Sequence, residues 1–272
     1  MRQELIKLIA GTTLAGGLIT APAYAQHDGH NGASDAPPPW SQADEVWGAE
    51  EMAESRNMLL HHHGSASMIG VNIDRFEYQL GEDEAVGVFD ADLWYGGDIN
   101  KLWFKTEGEY NLDHSELEEF EVQALWSRAI SPYWDFQTGI RYDFEPNGLA
   151  HAVAGFQGMA PYRFEVDGAA FFSEDGDLTA DVEVEYEFML TQKLELIPRV
   201  ELGWSAQEIP ELMMGEGFTS AEAGLRLAYG REFAPYIGVE WHGSFGETED
   251  ILSAAGETTD DVVVLVGFSA WF

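Results

Sequence analysis

The stretch Asp181-Val182-Glu183-Val184-Glu185-Tyr186-Glu187-Phe188-Met189-Leu190 changes character at every step. Val182, Val184, Tyr186, Phe188 and Leu190 fall on one side of an extended chain. Asp181, Glu183, Glu185 and Glu187 fall on the other, with Met189 continuing their row. A period of two is the signature of a β-strand with one apolar and one ionic face. A tilted strand of about 9–11 residues spans the hydrocarbon of a bilayer.

The same pattern extends outward in both directions. Leu194, Leu196, Val200 and Leu202 oppose Glu195, Arg199 and Glu201, and Phe164 and Val166 oppose Arg163, Glu165 and Asp167. Trp134, Phe136, Thr138, Ile140 and Tyr142 oppose Asp135, Gln137, Arg141 and Asp143. About twelve such segments follow one another, near 66–79, 84–95, 101–111, 117–129, 132–144, 150–159, 162–173, 178–190, 193–205, 218–230, 233–245 and 261–272.

Their connections alternate as well. Gly96–Asp98, Ile130–Ser131, Ala160–Pro161, Thr191–Gln192 and Arg231–Glu232 are tight. Gly81–Glu84, Asn111–Glu116, Glu174–Asp177, Gln207–Gly217 and Gly246–Asp260 are longer and acidic. Short turns at one end, longer loops at the other and an even strand count predict an all-β fold, a transmembrane antiparallel β-barrel of about 12 strands. A terminal Phe272 on an alternating strand fits the same reading. A soluble sandwich or lipocalin would show similar alternation, but with the apolar face buried.

Composition removes several classes of function. The 272 residues contain 13 Lys and Arg against 49 Asp and Glu, a formal net charge of −36. Such a chain lacks the basic face that binds phosphates, so no nucleic-acid partner is expected. There is no cysteine. Disulfides, thiolate metal sites and cysteine nucleophiles are therefore excluded. Aromatic residues at 13% speak against a disordered acidic tail.

The N-terminus reads as an address. Arg2 and Lys7 precede an apolar run from Leu8 through Ile19, and Ala23-Tyr24-Ala25 offers a cleavage site after Ala25. Residues 1–25 are expected to be a signal peptide for export in a Gram-negative bacterium. Residues 26–64 are expected to form a mostly flexible periplasmic arm, with a helical stretch from Asp44 to Leu60, and residues 65–272 the barrel. The arm holds His27, His30, Met52, Met58, His61, His62 and His63. Imidazole and thioether are the ligands favoured by copper and similar metals.

If the apolar face meets lipid, the ionic face lines the lumen. That face carries Asp90, Asp92, Glu107, Glu109, Glu119, Glu121, Asp135, Glu165, Asp167, Glu183, Glu185, Glu187, Glu195, Glu201, Glu222 and Glu240. Its cations are Lys105, Arg141, Arg163, Arg199 and Arg226. Parity adds softer ligands to the same side: Met68, His151, Met159, Met189 and His242. His114, Met213 and Met214 fall in loops.

At this point the chain resembles the copper resistance protein B family of outer-membrane barrels. The likeness runs through Asp74-Arg75-Phe76-Glu77-Tyr78, Tyr95 to Trp103, Lys105 to Glu109, Ala124 to Asp135, Ala160-Pro161-Tyr162, Phe164 to Asp167, Leu190 to Leu194, Glu222 to Arg226 and, most specifically, Arg231 to Trp241. The resemblance implies copper binding and copper tolerance at the cell outer membrane, and partnership with a periplasmic multicopper oxidase of the copper resistance protein A type. Many relatives carry Met- and His-rich repeats in the arm, where this chain keeps only a few such residues. The family supplies no residue-level metal site to carry over.

Two functions are weighed on these residues. The first is a copper-handling outer-membrane protein that binds or passes Cu(I), Cu(II) or both through His27, His30, Met58, His61, His62, His63, Met68, His151, Met159, Met189 and His242. The second is a general cation-selective channel with incidental histidines. No nucleophile motif accompanies the histidines, so an enzyme is not expected.

Overall fold

The computed structural model describes residues 41–63, 66–81 and 84–272, without the side chains of Leu60 and His63. The expected signal peptide, and the first part of the arm with His27 and His30, lie outside the described residues. The chain divides into two compact units at Leu60/His61.

The first unit is helical. Helix α1 (Asp44–Trp47) and helix α2 (Ala49–His63) meet at Gly48, whose φ of 93° suits a residue without a side chain. Arg56 on α2 returns to Asp44 with two hydrogen bonds, of 2.6 and 3.1 Å. Glu50 and Glu51 occupy the first turn of α2 and the three histidines its last, an order that suits the helix dipole. The helix thus runs three residues beyond the expected Leu60.

The second unit is a closed antiparallel barrel. Its strands are β1 (Met68–Leu80), β2 (Ala85–Gly96), β3 (Asn100–Asn111), β4 (Glu116–Ser131), β5 (Trp134–Glu145), β6 (Leu149–Ala160), β7 (Phe164–Ser173), β8 (Leu178–Glu185), β9 (Phe188–Met189), β10 (Leu194–Ser205), β11 (Gly217–Tyr229), β12 (Phe233–Ser244) and β13 (Asp260–Trp271). Segments β8 and β9 are two pieces of one strand, both paired with β10, so the barrel has twelve staves. Each stave pairs with its sequence neighbours, and β13 pairs with β1 to close the ring. The last residue takes part in closure: Phe272 N–H donates to the Val71 carbonyl at 2.9 Å, and Val71 N–H donates to the Phe272 carbonyl at 3.1 Å. The longest loop departs from expectation, because it folds into helix α3 (Gly246–Ala255), which packs on β11.

Burial decides between a membrane barrel and a soluble sandwich. On β1, Phe76, Tyr78 and Leu80 are about half exposed. Between them Arg75, Glu77 and Gln79 are only 8%, 4% and 4% exposed. Leu102, Phe104, Ile140, Val200, Leu202, Ile237, Val262 and Val264 likewise face outward, while Glu121, Arg199, Arg226 and Glu240 are buried. A soluble protein buries its apolar face. Here the ionic face is inside, and the outside is suited to lipid.

The lumen is not an open cylinder. On β5 the inward position opposite both Leu125 and Val153 is Gly139. A Cβ there would run into the Ala124 carbonyl. The empty position lets Leu125, Val153 and Phe171 close over it as an apolar cluster, with Trp103 and Ala169 beside them. Farther in, Lys105 on β3 reaches Asp167 on β7 at 2.5 Å. Staves β3 and β7 stand four apart in the ring, and walls bridged by two side chains lie close together, so the barrel is pinched on this side.

Candidate functional site

The lumen contains a cavity of about 950 Å³. Its lining reaches the short-turn rim at Tyr133, Met159, Arg231 and Trp271, and ends inward at Arg75, Arg141, Arg199 and Arg226. Fourteen carboxylates and six cations line it, so it is an acidic vestibule at the short-turn end. Such an excess raises the local concentration of cations.

The arginines at its inner end form a layer of ion pairs. Arg199 is 2% exposed. It contacts Glu183 at 2.6 Å, Glu222 at 3.1 Å, Glu240 at 3.7 Å and also Glu201. Arg226 pairs with Glu77 at 2.6 Å and Glu240 at 2.8 Å. Glu77 is further held by Gln79 and by the Tyr236 hydroxyl, both at 2.9 Å. Arg75 meets Glu107, and Asp90 at 3.5 Å. On the pinched side Arg141 pairs with Glu121 and Asp143 at 2.6 Å, and lies over the Phe171 ring at 4.8 Å. Charges buried this deeply persist only when paired, and almost all of them are.

The layer explains an error of sequence reading. Strand β1 carries a bulge between Ile73 and Arg75, where one residue is added relative to β2. Asp74 and Arg75 consequently both reach the vestibule, although adjacent residues of a regular strand face opposite ways. Simple parity with Asn72 and Asp74 misses Arg75, Glu77 and Gln79. The segment Arg75-Phe76-Glu77-Tyr78-Gln79, read by itself, alternates cleanly and was the available signal. Lys101 was missed too, and it pairs with Asp135 at 2.8 Å. Arg163, expected in the lumen, instead sits exposed in the turn at 161–163, outside the cavity lining, because its φ of 71° breaks the strand period there.

The expected metal ligands are dispersed. Met58, His61 and His62 stand exposed on one face of α2, three and four residues apart, with the two imidazole rings 5.3 Å apart. His63 shares the helix, but its side chain is not described. Met68, Met159 and Met189 lie toward the short-turn ends of β1, β6 and β9, and Met159 lines the vestibule. Met189 is in register with the vestibule residue Glu195.

His151 and His242 lie toward the loop ends of β6 and β12, beyond the arginine layer, and line no part of the vestibule. His151 Nε2 is 2.9 Å from Asp143, and His242 Nε2 is 3.4 Å from Glu240. His151 and Met159 occupy opposite ends of one strand, about 26 Å apart at the usual rise per residue. No single ion can use both. Among the described residues, no group of three or more His, Asp and Glu is placed to hold a metal ion. Within the barrel a copper ion would find His151 with Asp143, or His242 with Glu240 and the register partner Glu222, on the loop side, and thioethers among carboxylates at the rim.

Comparison with known proteins places the chain. The family model of the copper resistance protein B precursor matches residues 67–272, the whole barrel. Copper resistance protein B of Escherichia coli is 38% identical over 231 residues, covering 84% of this chain and 77% of that protein. A copper resistance protein B homolog of Pseudomonas syringae pv. tomato is 35% identical, covering 95% of this chain and 94% of that one. Among solved structures, the KdgM porin is a distant likeness at TM-score 0.44 and 10% identity, over 74% of this chain and 98% of its own. The NanC porin is similarly distant at TM-score 0.47 and 12% identity, over 75% and 99%. With a family match running through all twelve staves and two relatives above one-third identity, the chain belongs to the copper resistance protein B family.

Proposed function

We propose that this protein is a non-enzymatic outer-membrane barrel that receives copper ions from the periplasmic side and binds or passes them as part of copper resistance. In this reading residues 1–25 direct export, residues 26–64 form a periplasmic arm, and the short-turn rim faces the periplasm. The observation that carries the reading is the acidic vestibule opening at the short-turn rim, in a chain of a copper resistance family. Its carboxylates gather cations, and the thioethers of Met68, Met159 and Met189 at that end favour Cu(I).

The face of α2 bearing Met58, His61 and His62, with His63, His27 and His30, supplies imidazoles that bind either oxidation state. His151 and His242 would serve as stations beyond the arginine layer. A periplasmic multicopper oxidase of the copper resistance protein A type is the partner suggested by the family resemblance. The acidic vestibule also favours the second reading, a general cation channel, but the arginine layer across its inner end speaks against free flow.

The test is competition titration of the purified mature protein with Cu(I) and with Cu(II), with Zn(II) as control. A variant replacing His27, His30, Met58 and His61 to His63 by Ala divides the outcomes. Copper binding lost in that variant assigns the metal to the arm. Binding that persists assigns it to the barrel, where Met68, Met159, Met189, His151 and His242 are replaced next. No preference for copper over zinc in either protein overturns the copper reading.

A further inference from the structure

The arginine layer leaves one acidic pair of the vestibule without a cation. The bulge on β1 turns Asp74 into the lumen, and on β2 Asp92 stands opposite Asn72. The Asn72 amide donates to Asp74 Oδ1 at 3.1 Å and Asn72 is in register with Asp92, so the two aspartates flank the same residue and line the same cavity. Asp92 is 9% exposed and lines the vestibule, and its Oδ1 has no hydrogen-bond partner. Among the described residues neither aspartate has a basic partner within ion-pair distance. Lys105 is in register with Asp92, yet its ammonium is taken by Asp167 across the lumen, at 2.5 Å. Arg75 is likewise engaged, by Glu107 and Asp90.

Asp92 is buried while Asp74 is open to the lumen, and two adjacent carboxylates, one of them withdrawn from water, repel unless a proton or a cation lies between them. We propose that Asp74 and Asp92 together hold a divalent cation through their oxygens, in the vestibule and within reach of the short-turn mouth. The donors are hard: two carboxylates, with water completing the shell, and no imidazole or thioether among them. That set suits Mg²⁺, Ca²⁺ or Mn²⁺, and Cu(II) among the copper ions, but not Cu(I). The vestibule volume leaves room for a partly hydrated ion. The site depends on barrel geometry alone and stands or falls independently of the copper reading.

Mn²⁺ is the probe. The full mature protein in detergent micelles is titrated with Mn²⁺ at physiological salt, where diffuse attraction to the acidic loops is screened. Free Mn²⁺ is counted by electron paramagnetic resonance. One saturable Mn²⁺ per chain is expected, displaced by Mg²⁺ and Ca²⁺. Asp92→Asn and Asp74→Asn each weaken it by about tenfold or more. Asn72→Asp, which adds a third carboxylate, tightens it, and Asp250→Asn in α3 leaves it unchanged. Near-ultraviolet circular dichroism reports whether each variant is folded. Should Asp92→Asn fail to fold, Asp74→Asn and Asn72→Asp decide the question. The absence of a saturable Mn²⁺ in the native protein overturns the proposal and leaves a shared proton between the aspartates. Equal binding by folded Asp74→Asn or Asp92→Asn also overturns it.

Discussion

The two halves of the lumen are lined by the same residue types but behave as different materials. Toward the short turns the carboxylates border an open cavity, and several of them have no cation within reach. Toward the loops the charged side chains are packed like a core. Glu77 and Glu240 have fully buried side chains, each held by Arg226 together with other donors. The difference teaches that net charge does not set the character of a lumen. What matters is whether each charge meets a counter-charge inside packed walls.

The sharpest way to break this contrast is electrical. The native protein in a planar bilayer is expected to pass almost no steady current. The double change Arg226→Ala with Glu240→Ala removes a buried pair together, and Glu77 keeps Gln79 and Tyr236. A steady, cation-selective current is expected to appear. An already open native protein would show that the layer closes nothing.

Next in size is Arg199→Met, which strips Glu183, Glu201, Glu222 and Glu240 of their shared partner. Orphaning buried charges in this way is expected to cost about 3–5 kcal/mol, read as a lower urea midpoint for the micelle-bound barrel. Gly139→Leu sharpens the contrast on the pinched side. It drives a Cβ against the Ala124 carbonyl beside the cluster of Leu125, Val153 and Phe171, and a loss of about 1–3 kcal/mol is expected in the same measurement. The smallest effect belongs to the vestibule rim. Lys101→Met removes a pair with Asp135 in which both side chains are about one-fifth exposed. A loss of only about 0.5 kcal/mol is expected there. A cost as large as that of Arg199→Met would erase the distinction between the halves.

Most of the barrel was legible in the sequence. All twelve alternating segments became staves, with ends displaced by at most two residues. The short and long connections fell at opposite ends. What failed did so where the period of two failed. The bulge after Ile73 hid Arg75 and Glu77, and the turn at 161–163 carried Arg163 outside. Helix α3 was hidden because a long loop has no pairing constraint to reveal its conformation.

The expected strand ligands do not converge on one site: Met159 lines the vestibule, and His151 and His242 lie beyond the arginine layer. Parity reports on which side of the sheet a residue stands and is silent about height and separation. His151 and Met159 share a face with an almost full strand between them.

By itself, then, the sequence determined the strand number, the faces, the charge of the lumen and the family resemblance. Each follows from local periodicity or from residue identity. The tertiary structure alone decided which acids meet which arginines, where the vestibule ends, that His151 and His242 lie at the opposite end of the strands from Met68, Met159 and Met189, and that Asp74 and Asp92 stand together without a cation. These depend on barrel closure, register and one bulge, which bring side chains from distant strands within a few ångströms. No count along the chain contains those distances.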